Sequence, residues 1–219
     1  MTVKNVIDEK KKILSLQDQQ QPIFTKMKKI LFLLFLLIVT SVGIAQSQQH
    51  LSFKGVPIDG TLKEYTNAMI KAGFQFEGTE DGLSILSGDF AGFKDCLIGV
   101  STLKNCDIVS HIAVLFPEKE TWSALTNDYE QLKAMLSKKY GSPNHQSERF
   151  TDYVGNSDNL KMHAIHSGEY EWYSVFSTEL GDIELSLIEG TGYLTGMVRL
   201  SYYDKTNTEK VLNSAMDDL

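Results

Sequence analysis

The residue types that do chemistry are thinly spread along this chain. His163 and His166 stand three apart in H-A-I-H, with Glu169 close behind. On a helix, histidines at that spacing share a face, and with a carboxylate they could hold a metal or serve a hydrolase. No glutamate lies between them, as a helical zinc-protease motif requires, so the group reads as a polar surface turn. His111, inside V-S-H-I-A-V-L-F, reads as a satisfied sheet histidine, and His145 follows Pro143 in a loop. G-T-G-Y-L-T-G, from Gly190 to Gly196, lacks the Lys-Ser/Thr ending and the following helix of a phosphate loop and reads as a hairpin loop. G-T-E-D-G lacks the alternating oxygen ligands and closing glutamate of a calcium loop. The sequence holds no Gly-x-Ser-x-Gly and no Cys-x-x-Cys. No residue is assigned a catalytic, metal or cofactor role, and the chain reads as non-enzymatic. The alternative is a periplasmic hydrolase using paired carboxylates or the His163/His166/Glu169 cluster.

Two features remain. Cys96 and Cys106 are ten apart, and an oxidising compartment would permit a disulfide between them. A hairpin turn near Ser101 would oppose them, whereas a turn at Leu103-Lys104-Asn105 would leave Cys96 further down the ladder. The second feature is aromatic. In G-E-Y-E-W-Y-S-V-F, Tyr170, Trp172 and Phe176 alternate with Tyr173 and Val175, so a strand here carries apolar groups on both faces. R-L-S-Y-Y-D repeats this, with Leu200 and Tyr202 against Tyr203. A sheet face dressed with tyrosine suits recognition, and Tyr173 and Tyr203 are the candidate binding residues. A lid from flanking loops or the closing helix is the plainer account of the same rings.

The segment Met27–Ala45 indicates where the chain goes. Lys28 and Lys29 precede an unbroken apolar run, and Gly43 and Ala45 supply small residues before a cut at Gln46, the three parts of a secretory signal. The run from Ile30 to Ala45 is 16 residues, short of the roughly 20 that span a bilayer. An uncleaved single-span anchor is the alternative. Residues 1–26 then read as a mis-assigned leader or as a cytoplasmic tail. Beyond Ala45 the chain keeps 14 of its 21 basic residues against 25 of its 28 acidic ones, a net charge of −11. Such a chain repels phosphate backbones and anionic lipid, which argues against nucleic acid as a partner. The expected partner is a protein or another ligand of the cell envelope, with membrane contact only through an uncleaved signal segment.

Elements follow from patterning. Thr61 and Glu64 form a capping box before Leu62, Tyr65, Met69 and Ala72, which predicts a helix over 61–73. Strand-like runs follow at 74–77, 83–90, 93–102 and 108–116. The pattern then restarts. Trp122, Leu125, Tyr129, Leu132, Leu136 and Tyr140 share one helical face over 120–140, and Gly141 and Pro143 end it. Strand-like runs return at 147–154, 170–178, 182–188 and 197–203, with 160–166 readable as helix or strand. Thr206 and Glu209 form a second Thr-x-x-Glu box opening a final helix. The expected fold is α+β: two tandem α-β4 units, over 46–117 and 118–219, antiparallel sheet with helices on one face, and a closing C-terminal helix.

This element order, over about Leu51 to Asp204, resembles the β-lactamase inhibitory protein fold, and outer-membrane assembly lipoproteins with a helix-helix-sheet unit share the general layout. The L-x-x-K-Y-G-x-P element, Leu136 to Pro143, is similar to helix ends in secreted bacterial proteins of this type. The chain has one helix per unit rather than two and no lipid-attachment cysteine. The resemblance is one of element order and fold alone, and it carries no functional residue across.

Overall fold

Thr61 Oγ1 accepts the Glu64 amide while the Glu64 carboxylate accepts the Thr61 amide, so the expected capping box nucleates helix α1, Leu62–Lys71. The computed structural model describes residues 50–103 and 106–216. The signal and leader segments expected over 1–45 lie outside the described residues. Gln48–Leu219 forms one compact unit. Before α1, Lys54 and Gly55 both take positive φ and turn strand β1 (Ser52–Phe53) onto β2 (Val56–Pro57).

The main sheet has eight strands, paired antiparallel throughout. They are β3 (Gln75–Glu80), β4 (Leu83–Phe90), β5 (Phe93–Leu103), β6 (Cys106–Leu115), β7 (His145–Phe150), β8 (Tyr170–Thr178), β9 (Gly181–Glu189) and β10 (Gly196–Asp204). Their spatial order is β3-β4-β5-β6-β10-β9-β8-β7, so β6 and β10 form the central seam. Between β6 and β7 runs helix α2 (Trp122–Tyr140); α3 (Asp158–His166) separates β7 from β8, and α4 (Lys205–Met216) closes the chain. None of the described helices is long and apolar enough to cross a membrane.

Alternation along each strand selects two sets of side chains. One set (Leu86, Ile98, Ile112, Leu200, Leu185 and Phe176) is almost wholly buried and joins Tyr65 and Met69 of α1, Leu125, Tyr129 and Leu132 of α2, and Ile165 of α3 in a single core. Tyr129 Oη lies 2.7 Å from Ser174 Oγ, which satisfies a phenol deep in that core. Trp122 packs edge-on to Trp172 at 4.7 Å, with Phe150 beside both. Gly196 lets α2 approach: a Cβ there would lie 2.7 Å from the Leu125 Cδ2 methyl.

One open reading is resolved and three expectations change. The segment 160–166 is helical: Ser157 caps α3, and the Asp158 carboxylate accepts bonds from Ser123 at the start of α2. Strand β7 ends at Phe150 rather than running to Val154. The last helix starts at Lys205, because the buried Asp204 carboxylate, not Thr206, accepts the Asn207 amide, and it also holds the Leu51 amide and the His50 ring. Finally, Cys96 and Cys106 are free thiols, so the disulfide that an oxidising compartment would permit is not formed. Leu103 pairs with Cys106 beside the turn, whereas Cys96 sits seven residues further along β5, opposite Gly88. At about 3.3 Å per residue the two lie about 20 Å apart, several times the reach of a bridge.

Candidate functional site

The second set of strand side chains, facing away from this core, is aligned in rows by the register. The first row reads Leu83, Ser101, His111, Tyr203 and Asp182. The middle row reads Ile85, Gly99, Ala113, Ser201, Glu184 and Val175, and the third Ser87, Leu97, Leu115, Arg199, Ser186 and Tyr173. Tyr203 and Tyr173 both belong to this outer set and are part-buried. They are not neighbours: β9 separates their strands, and they stand in different rows. Trp172 lies on the inner side, as its stacking on Trp122 requires.

The β4–β6 half of this face is apolar, and Leu83, Ile85 and Leu97 are each about two-fifths exposed (40%, 39% and 45%). The half built on β6, β10 and β9 is polar and aromatic. His111 stacks on Tyr203 at 4.5 Å, nearly parallel. Arg199 pairs with Glu184 at 3.1 Å. His111 Nδ1 lies 3.0 Å from Ser101 Oγ, and that hydroxyl donates to the His111 carbonyl at 3.4 Å. A hydroxyl has one proton, so both bonds form together only if Nδ1–H donates to Ser101, which leaves Nε2 as an acceptor. Burial, aided by the Arg199 charge and opposed by Glu184, pushes the His111 pKa down to about 4, so the ring is neutral at pH 7.

This region concentrates unmet hydrogen-bonding demand. Among the described residues six buried side-chain polar atoms lack a partner within the protein, and four of them are His111 Nε2, Arg199 Nε, Ser186 Oγ and Ser201 Oγ. Folded proteins leave few such atoms, and each is destabilising by roughly 1–3 kcal/mol. Four of the six fall within one patch of three strands, β6, β10 and β9. Sequence reading passed over Arg199, Glu184, Ser186 and Ser201 and placed His111 as fully satisfied. The available signal was the alternation His111, Ala113, Leu115 against Ile112, Val114, Phe116, which turns the histidine away from the core.

The other sequence candidates do not assemble. His163, His166 and Glu169 are exposed; His163 bonds Ser167 at 3.1 Å, and His166 pairs with Glu189. No three metal-ligating side chains gather among the described residues. The loop Gly190–Gly196 already holds an anion of its own: the Glu118 carboxylate accepts from the Thr191 amide and hydroxyl, the Gly192 amide and the Thr195 hydroxyl. Those bonds push the Glu118 pKa down to about 2. A groove of about 420 Å³ beside α1 mixes apolar lining from Leu62, Ile70 and Phe76 with the polar Lys63, Asn67 and Asp107. Comparison with family models, curated proteins and solved structures finds no match for this chain.

Proposed function

We propose that the chain is an exported, non-enzymatic binding protein of the cell envelope, which recognises its partner on the outer sheet face carrying Tyr173, Tyr203, His111 and Arg199. The observation that carries this reading is the clustering of four unpartnered buried polar atoms beside an exposed apolar strip on that face. Export rests on the signal pattern of Met27–Ala45. The strand order supports a tandem origin for the scaffold. Strands β3-β4-β5-β6 and β10-β9-β8-β7 mirror each other about the seam, and each set opens after a helix, α1 or α2. Both helices contribute to the same core, which accords with helices on one face and recognition on the other, the layout that resembles the β-lactamase inhibitory protein fold. The hydrolase alternative rested on His163, His166 and Glu169, which stand exposed with His163 on Ser167 and His166 on Glu189, and no three metal-ligating side chains gather among the described residues.

Two measurements test the reading. N-terminal sequencing of the product from its native host is expected to find Gln46 or a residue within about three positions of it; an intact Met1 on a cytoplasmic protein overturns export. Affinity capture from envelope extract, comparing wild type with Tyr173→Ala/Tyr203→Ala, is expected to lose its partner in the double variant while the variant stays folded. A partner retained at full strength overturns the assignment of the face.

A further inference from the structure

The middle row of the outer face is a trough. At three successive strands, β5, β6 and β10, it carries the small residues Gly99, Ala113 and Ser201. The rows on either side carry His111 and Tyr203 on one flank and Leu115 and Arg199 on the other. Two strand spacings separate Gly99 from Ser201, about 10 Å, and the flanking rows stand about 13 Å apart. The two ends differ. Gly99 and Ala113 are part-exposed beside Leu83, Ile85 and Leu97, whereas Ser201 is wholly buried. The trough is thus open and apolar at β5 and closed and polar at β10.

The polar end states what it lacks. Arg199 Nε offers an N–H, His111 Nε2 offers a lone pair, and the Ser201 and Ser186 hydroxyls can do either, all without a partner in the chain. No cation is left over here, because Glu184 pairs with Arg199, His111 is uncharged and Asp182 lies across from Tyr203. An added anion would leave surplus negative charge beside Glu184, and an added cation would face Arg199. The complementary group is therefore neutral and has an acceptor next to a donor. An amide fits: its carbonyl accepts from Arg199 Nε–H and its N–H donates to His111 Nε2. The chain continuing from it along the open end must be apolar.

We infer that the Gly99–Ala113–Ser201 trough binds a neutral, amide-bearing apolar ligand, chemically a blocked apolar peptide, with its amide at Ser201, Arg199 and His111 and its side chains over Leu83, Ile85 and Leu97. This rests on the outer face being the recognition surface and names what that surface takes.

The test uses the exported protein and N-acetyl-Leu-Leu-amide, followed by amide chemical shifts in NMR and by calorimetry. Saturable binding is expected, with shifts at Gly99, Ala113, Ser201 and His111. The free acid N-acetyl-Leu-Leu, decanoate and methyl glucoside are expected to bind at least about tenfold more weakly. Gly99→Val fills the open end; a Cβ there meets only the Leu83 Cδ1 methyl, at 3.4 Å, and the Ala113 carbonyl, at 3.9 Å, and valine suits a strand. It is expected to weaken binding at least about tenfold with the fold intact, and Ser201→Ala, which removes the central hydroxyl, to weaken it from the other end. Preference for decanoate or the free acid, equal binding by wild type and both variants, or no saturable binding overturns the inference. If the peptide fails while envelope capture still depends on Tyr173 and Tyr203, the ligand class falls and the recognition face stands. If capture is also independent of those tyrosines, both fall.

Discussion

Acidification should unload stability through His111 in a window that the carboxylates do not share. The ring is held neutral chiefly by burial, and its pKa drops from 6.5 to about 4. At about 1.4 kcal/mol per tenfold change in proton affinity, that drop corresponds to at most about 3.5 kcal/mol, an upper bound because the ring is part-exposed and solvent can relax around it. The sign follows from which state binds the proton first. Between 6.5 and about 4 the unfolded chain takes up a proton that the folded chain refuses, so stability falls as pH drops through that range and levels below it. Urea unfolding of wild type and His111→Gln at a series of pH values isolates the effect, because glutamine does not titrate. From about pH 7 to about pH 4 wild type is expected to lose up to about 3 kcal/mol more than the variant. The ring proton resonances should also show His111 still neutral near pH 5.5, where an ordinary histidine is mostly charged. A midpoint at or above about 6, or parallel pH profiles for the two proteins, would refute the claim that this imidazole is buried and neutral.

Leu132→Ala removes a side chain only 2% exposed from the α2 face and should destabilise the protein by roughly 2–5 kcal/mol in denaturant unfolding; a change below about 1 kcal/mol would mean that this face is not core. The free thiols predict unequal reactivity. Burial pushes the Cys96 pKa up to about 11, and Cys106 is part-exposed, so a thiol reagent should modify Cys106 in the native protein and Cys96 only on unfolding. A reductant should leave Tm unchanged, and a drop in Tm would indicate a bond between them.

Local signals carried most of the fold. The Thr61/Glu64 box and the Tyr65/Met69 spacing mark α1, and the alternation over Leu83–Phe90 and Tyr170–Thr178 gives β4 and β8 with their observed limits. Elements held by distant partners were harder to read. Helix α3 buries Met162, Ala164 and Ile165, too few apolar positions for a clear period, and its first turn is held by Ser123 from α2. The Thr206/Glu209 box resembles a helix start, but Asp204 takes that role because its buried carboxylate also binds Leu51 and His50, more than 150 positions earlier. For the candidate site, alternation tells which residues share a face but not which strands are neighbours. Tyr203 was visible as an outward tyrosine; its stacking on His111, and the row from Leu115 through Arg199 to Tyr173, depend on the β6–β10 pairing.

That pairing also sets the order in which the molecule can be completed. Every other junction in the main sheet except the one between β7 and β8 joins strands linked by a turn or a short loop, whereas Leu115 pairs with Arg199, 84 positions further on. Closing so long a loop is entropically unfavourable until its contacts reward it, which slows the step. During synthesis or passage through a membrane from the N-terminal end, β6 therefore waits as a bare edge, with Ile112, Val114 and Leu115 uncovered, until β10 arrives. An open apolar edge is a template for pairing with another chain. The fold is thus most vulnerable to aggregation before its last strand arrives, and a truncation just ahead of β10 would make that transient edge permanent.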